Sequence, residues 1–336
     1  MKKETLLSLS EKTGFSVSTV SRVLSGKGRQ YRICDKTINH IIEVARSCNY
    51  SPDLIAQSLR VRRTNTIGLT VPNIANPFFA TLASVIINQF KDRGYNTIIA
   101  DTMENEKNER HTIKSYVARK VDGIIAVPVG SSPDFLEEVS RTVPVVLIDR
   151  CFENTTLPYV CTDNYAGGYM AAEHLIKRGY KNILALQGVP TSMPNKERLR
   201  GVAQAVADHA GHGVRKSIAG DSFSVENGYR EALVALNSDD RPDAIFALST
   251  TILLGVIRAV RELGLNVPDD VALISFDNNL FLDYLEPSVT RIGQPVNIIG
   301  KLAADNMVKM MECEEDKTMD SSQILIRPTL IEGGSC

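Results

Sequence analysis

From Thr66 onward the apolar residues fall in short runs of strand length, each followed by a stretch with helical spacing, and this alternation constrains the chain more than anything else in it. The runs lie at 66–71, 96–100, 123–127, 145–148, 159–162, 183–187, 244–247 and 271–275. Helical periodicity occupies about 78–93, 106–119, 165–179, 196–210, 225–237, 250–264 and 296–312. Strands joined through helices run parallel, and a parallel sheet is covered on both faces, so the expected fold class is α/β with doubly wound sheets. The stretch is too long for one such sheet. Two lobes are expected: one at about 64–160 with a late return at 290–322, the other at about 162–288 with 323–336.

The first 63 residues read differently. They carry 12 Lys and Arg against 5 Asp and Glu, a charge of +7, which leaves −8 on the rest of a chain whose formal net charge is −1. A basic head on an acidic body is the footprint of a nucleic-acid module joined to something else. Leu6, Leu7 and Leu9 have helical spacing before the break at Thr13-Gly14-Phe15. Ser16 suits an N-cap for 17–24, with Val20, Val23 and Leu24 as an apolar stripe. Asp35 suits the cap of a third helix that aligns Ile38, Ile41, Ile42, Ala45 and Cys48. Three short helices with a glycine turn between the first two make an all-α helix-turn-helix over residues 1–50. The solvent face of its second helix presents Val17, Ser18, Ser21 and Arg22. Small side chains let a helix sit deep in the major groove, where Arg22 offers two donors to a guanine edge. Thr19 suits a phosphate contact, and Lys27, Arg29 and Arg32 are placed to neutralise backbone charge.

The run Gly14-Phe15-Ser16-Val17-Ser18-Thr19-Val20-Ser21-Arg22-Val23-Leu24-Ser25-Gly26 resembles the helix-turn-helix signature of the LacI/GalR repressor family. The resemblance covers essentially the whole chain. It implies that Val17, Ser18 and Arg22 read bases, and that the body has the periplasmic-binding-protein type I fold. It further implies a homodimer on a near-palindromic operator, acting in the cytoplasm as a repressor controlled by a small sugar.

Residues 51–63 form an expected hinge. Ser51-Pro52-Asp53 is a helix start, but only about two turns follow before Arg62-Arg63-Thr64, too few for a stable isolated helix. In the family this segment pairs with its symmetry mate in the minor groove, and the leucine matching Leu59 wedges between base pairs. On pattern alone, Leu54, Ile55 and Leu59 fit equally a fourth helix of the head.

Ligands of open α/β sheets bind beyond the carboxyl ends of the strands. Just there lie Asn76-Pro77-Phe78-Phe79, Asp149-Arg150, Thr162-Asp163-Asn164 and Phe276-Asp277-Asn278; Arg198 heads the segment Arg198-Leu199-Arg200-Gly201, and Gln294 sits at the last crossover. Flat rings for C–H faces, with carboxylates, amides and guanidinium groups for hydroxyl pairs, suit a sugar. The resemblance places Phe78, Phe79, Asp149, Arg150, Asp163, Arg198, Asp277 and Gln294 in an effector pocket, with Thr162 beside them. There is one departure: relatives usually have Asn-Asp where this chain has Ser249-Thr250. A hydroxyl in place of a long amide leaves room for a larger or phosphorylated ligand. On pattern alone, Asp149 or Arg150 fits equally an interlobe salt bridge, and Phe78 a core position.

Other classes fit worse. No apolar run approaches the ~18–20 residues of a membrane helix, and the first residues lack the apolar segment of an export signal. A sugar-binding transport receptor would carry that signal and no basic head. No GxGxxG follows the first strand, and GxxxxGK[ST], GxSxG and HExxH are absent, so neither an enzyme nor a resident cofactor is expected. The six cysteines are scattered without metal-ligand spacing and read as reduced thiols.

Overall fold

The structure, a computed structural model, describes residues 4–50, 63–312 and 322–336. It divides into two units, one ending at Thr64 and one beginning at Asn65. In the first, α1 (Leu6–Thr13) starts at a reciprocal cap: the Ser8 amide donates to the Thr5 hydroxyl and the Thr5 amide to the Ser8 hydroxyl. Gly14, at φ 71°, ends it. Helix α2 (Val17–Leu24) begins at Ser16, whose hydroxyl accepts from the Thr19 amide, as its sequence leads one to expect. Helix α3 (Asp35–Ser47) differs by one position: Cys34 holds the cap site without a side-chain bond to the helix backbone, and Asp35 instead pairs with Arg29 at 3.1 Å. Leu9, Val20, Val23, Ile41 and Ala45 form the core the three helices share. The expected hinge, including Leu59, lies outside the described residues.

The body's strands are β1 (Thr66–Val71), β2 (Asn96–Asp101), β3 (Gly123–Ala126), β4 (Val145–Ile148), β5 (Tyr159–Thr162), β6 (Asn182–Leu186), β7 (Arg215–Ala219), β8 (Ala244–Ala247), β9 (Ala272–Phe276), β10 (Thr290–Gly293), β11 (Gln323–Ile326) and β12 (Thr329–Ile331). Its helices are α4 (Pro77–Lys91), α5 (Glu106–Ala118), α6 (Asp134–Ser140), α7 (Asn164–Lys177), α8 (Met193–Asp208), α9 (Val225–Leu236), α10 (Thr250–Glu262) and α11 (Val296–Glu312). They build two six-stranded sheets with the orders β11-β5-β4-β3-β1-β2 and β12-β10-β9-β8-β6-β7. All pairings are parallel except β10 with β12. Helices cover both faces, which is why strands such as β3 and β4 are buried at every residue. Ile125 faces the core beneath α4 and α11, while its neighbours Ile124 and Ala126 face the core beneath α5 and α6. Each fully buried isoleucine of this kind contributes about 1.5–3 kcal/mol.

The lobes exchange the chain three times: from β5 through Asp163 into α7, from β10 through Gln294-Pro295 into α11, and from β11 through Arg327-Pro328 into β12. This corrects the expected lobe boundaries. Segment 290–293 stays in the second sheet and the return begins only at α11, while 323–326 belongs to the first sheet. The reason is chemical. Strand β10 carries a buried arginine, Arg291, held by Asp283, Asn278 and the Val289 carbonyl, so it does not look like an interior strand. Strand β11 alternates exposed and half-buried residues as an edge strand does.

Candidate functional site

On the head, the α2 surface presents Val17, Ser18 and Arg22 to solvent, with Thr19 and Ser21 half-buried beside them. The Thr19 hydroxyl lies 2.9 Å from that of Ser16, which ties it to the helix cap. The Arg22 guanidinium stacks 4.1 Å from the Tyr31 ring centroid, which steadies a long side chain while leaving its edge exposed. Lys27, Arg29 and Arg32 are exposed. Of these, Arg29 already has Asp35 as a partner, and Arg32 stands at a left-handed turn with φ 56°.

In the body, a cleft lies between the carboxyl ends of the two sheets' strands. Asn76, Phe78, Phe79, Glu104, Asp149 and Arg150 line it from one lobe, and Pro194, Arg198, Phe223, Ser249, Asp277 and Gln294 from beyond the crossovers. Helix α4 begins at Asn76, whose carbonyl oxygen caps Phe78, so the rings of Phe78 and Phe79 are fixed at the helix start. These rings meet edge to face, with centroids 5.1 Å apart.

Asp149 and Asp277 occupy matching places, one just after β4 and the other just after β9. Both have left-handed backbones, with φ 63° and 79°, a conformation Asp tolerates better than most residues. At Asp149 the turn is tight enough for the Arg150 amide to donate to the Ile148 carbonyl, and backbone strain of this kind gathers at functional sites. The Asp149 Oδ1 atom is buried and has no hydrogen-bond partner. Burial, first, pushes its carboxyl up to about 6; Arg150 and Arg198 oppose the rise, while Asp277 and Glu104 add to it.

Arg150 forks onto Glu104, with both N–H···O distances 2.7 Å, and its Nε lies 4.0 Å from Asp149. Burial works against the Arg150 charge, but Glu104, with Asp149 and Glu109, more than offsets it, and the guanidinium pKa ends above its ordinary value. Arg198 reaches into the second lobe. Its Nε donates to Asn164 at 2.8 Å and its Nη1 to the Leu248 carbonyl at 2.5 Å, and it stacks 3.5 Å from the Phe276 centroid. Here burial lowers the pKa, against the pull of Asp277 and Asp149. What brings Arg198 so deep is a close approach of α7 and α8. A Cβ on Gly168 would lie 2.0 Å from the Arg198 carbonyl oxygen, so only glycine fits there.

Asp277 is fully engaged: Oδ1 accepts from Gln294 Nε2 at 2.7 Å and Oδ2 from the Thr250 amide at 3.3 Å. Gln294 in turn accepts from the Thr162 hydroxyl at 2.5 Å, which joins two of the crossovers. Ser249 caps α10 by accepting from the Ile252 amide.

The structure thus brings Phe78, Phe79, Asp149, Arg150, Arg198, Ser249, Asp277 and Gln294 to one cleft. Thr162 sits behind Gln294, and Asp163 caps α7 through the Ala166 amide; neither lines the cleft. Asp149 and Arg150 do not form the interlobe salt bridge that their pattern also allowed, since Arg150 pairs within its own lobe. Glu104, Pro194 and Phe223 also line it, and the pattern of the sequence did not single them out. Glu104 follows β2 and could have been found by the same strand-end rule. Phe223 follows β7, an exposed edge strand of sequence RKSIA with no apolar run to announce it. A wider cavity in the second lobe, lined by Val260, Leu265, Val267, Leu273 and Leu285 among others, holds none of the residues singled out from the sequence.

Residues 172–336 match the family model described as a periplasmic binding protein-like domain. The HTH-type transcriptional regulator DegA of Bacillus subtilis (strain 168) is 34% identical over 303 residues, covering 89% of this chain and 88% of its own. The Lac repressor dimer bound to operator superposes with a TM-score of 0.86 over 99% of both chains, at 21% identity, a likeness of fold. A periplasmic binding protein/LacI transcriptional regulator from Alkaliphilus metalliredigens QYMF, complexed with D-xylulofuranose, superposes with a TM-score of 0.69, covering 81% of this chain and 98% of its own at 26% identity. A helix-turn-helix head and a two-lobed body of periplasmic-binding type define the class: a DNA-binding regulator with a sensor built in. Within that class, the chain belongs to the LacI/GalR family of transcriptional regulators.

Proposed function

We propose that this protein is a homodimeric, sequence-specific regulator, acting as a repressor in the cytoplasm, whose hold on a near-palindromic operator is set by a small sugar bound between the lobes. The observation that carries the sugar reading is Asp149 Oδ1, a buried carboxylate oxygen without a donor, at a cleft that also offers Phe78 and Phe79. A sugar hydroxyl supplies the missing donor, and the rings meet its C–H faces. The relative from Alkaliphilus metalliredigens, complexed with D-xylulofuranose, points to the same ligand class.

In DNA recognition, Val17, Ser18, Ser21 and Arg22 face the bases, while Thr19, Lys27, Arg29 and Arg32 hold phosphates. Leu59 serves as the minor-groove wedge. The effector set is Phe78, Phe79, Asp149, Arg150, Arg198, Ser249, Asp277 and Gln294, with Thr162 and Asp163 supporting it at the crossover. A second copy fits along β2 and β7, each an edge strand of its sheet, β2 exposed at half its residues and β7 at most of them. Ile98, Ile99 and Met103 on one lobe, with Ile218 on the other, are exposed there and gain from being covered. The cleft is read as a binding site: the relative from Bacillus subtilis is a transcriptional regulator, and the one hydroxyl lining the cleft, Ser249, is spent on capping α10.

The test is selection of a preferred site from random duplexes by the purified dimer, followed by titration with neutral pentoses and hexoses. Affinity for the selected site that shifts with one of these sugars supports the reading. A dimer with no preference over random DNA, with or without sugar, refutes it.

A further inference from the structure

We infer that the cleft selects against anionic sugars, and that Glu104 is the residue responsible. The inference rests on the sugar reading above and narrows the ligand to an uncharged polyol. The groups of the cleft best suited to an anion are each already engaged, in whole or in part, by the chain itself. The Arg150 fork is filled by Glu104. The guanidinium of Arg198 is held by Asn164 and the Leu248 carbonyl. The start of α10, which would otherwise attract a phosphate, is occupied by Asp277 on the Thr250 amide and by Ser249 on the Ile252 amide. The start of α4 is capped by Asn76.

The charges agree. Two arginines face three carboxylates, Glu104, Asp149 and Asp277, so the lining is net negative by one. Among the lining residues the buried polar atom left over is Asp149 Oδ1, an acceptor that asks for a donor. A phosphate dianion brings acceptors only. To reach Arg150 it would have to displace Glu104 and leave that carboxylate beside Asp149, two like charges where one had a partner. Glu104 can hold this post because it stands at the edge of the site: its side chain keeps 35% exposure, whereas that of Arg150 keeps 9%. It also sits in a left-handed turn, φ 50°, at the end of β2, which makes it a loop residue that can vary without disturbing either core.

The room left by Ser249 is therefore room for bulk, not for charge. Ser249 itself supplies no cation, and its hydroxyl is spent on the Ile252 amide, so the shorter side chain offers a phosphorylated ligand space without a new counter-charge.

The experiment uses the full-length dimer and three matched pairs: D-ribose with ribose 5-phosphate, D-fructose with fructose 6-phosphate, and D-glucose with glucose 6-phosphate. Binding is read by calorimetry and thermal shift for the native protein and for Glu104→Gln, which keeps the shape and removes the charge. Glu104→Asn, which tolerates the left-handed backbone, is a second variant in case the first does not fold. The native protein should prefer the neutral member by at least about tenfold, and either variant should shift that ratio by about tenfold toward the phosphate ester. A native protein that binds an ester as tightly as its parent sugar overturns the inference while the sugar reading stands. So does a ratio unchanged by both variants. If none of the six compounds binds any of the proteins, the sugar reading falls and the inference falls with it.

Discussion

The two lobes place an aspartate at the same point, just beyond β4 in one and β9 in the other, and then use it differently. Asp277 donates nothing and accepts twice, from Gln294 and Thr250, so it braces the second lobe against the crossover. Asp149 has a buried oxygen with no donor and a carboxyl pushed up to about 6 by that burial. The arginines beside them differ in the same sense. Arg150 is set by a salt bridge to Glu104, Arg198 by the contact of two helices. One lobe is finished without ligand and the other is not, which is how a cleft can be stable when empty and still bind.

The largest test of this contrast is Gly168→Ala. The new methyl meets the Arg198 carbonyl oxygen at 2.0 Å, so α7 and α8 must separate, at about 3 kcal/mol or more. Both stability in urea and sugar binding should fall together. Unaltered binding would mean that Arg198 does not depend on the helix contact.

Asp149→Asn comes next. It should weaken sugar binding roughly 10- to 100-fold, the value of a hydrogen bond to a charged group, while operator binding in the absence of sugar is retained. The same substitution tests the raised carboxyl. The folded protein holds this proton more tightly than the unfolded chain, so burial costs nothing below the unfolded value of 3.8 and most above about 6. Stability from this group therefore falls as pH rises through that window, by up to about 3 kcal/mol. The variant should gain on the native protein by up to that amount above pH 6 and lose the gain near pH 4. A gain that does not change with pH would show that Asp149 is not the group titrating.

Asp277→Asn should do the reverse. Asn cannot serve both donors, so about 1–3 kcal/mol of stability is expected to go, with melting as the measurement. If it instead costs sugar affinity and no stability, the brace is really a ligand contact. Smallest is Thr162→Val, which removes the hydroxyl bonded to Gln294 at 2.5 Å; about 1 kcal/mol is expected, read from chemical denaturation. A change in sugar affinity larger than the change in stability would place that bond in lobe closure.

How much of this was legible in the sequence depended on burial. The interior strands β1, β3, β4, β8 and β9 announced themselves because both faces are covered and every residue is apolar or small. The strands not singled out were β7 and β11 at edges, β12 of three residues, and β10 with its buried arginine. Helix α2 and its cap were legible to the residue because capping is local chemistry. The cap of α3 was not, since Asp35 turns outward to Arg29. In the site, most residues just after recognised strands were found; Glu104, three residues beyond β2, was passed over, and Phe223 follows a strand that was not recognised. The fork between Glu104 and Arg150 joins residues 46 apart, and no local pattern announces such a pair.

The three exchanges of chain between the lobes have a consequence for synthesis. The first sheet is complete only when β11 has been made, after every strand of the second sheet but β12. A ribosome therefore releases the head long before either half of the sensor can close, and no product cut before β11 carries one finished sheet. Messenger cut short within the body before β11 yields a basic head attached to unfinished, sticky sheet edges, a species for proteases rather than a repressor deaf to its signal.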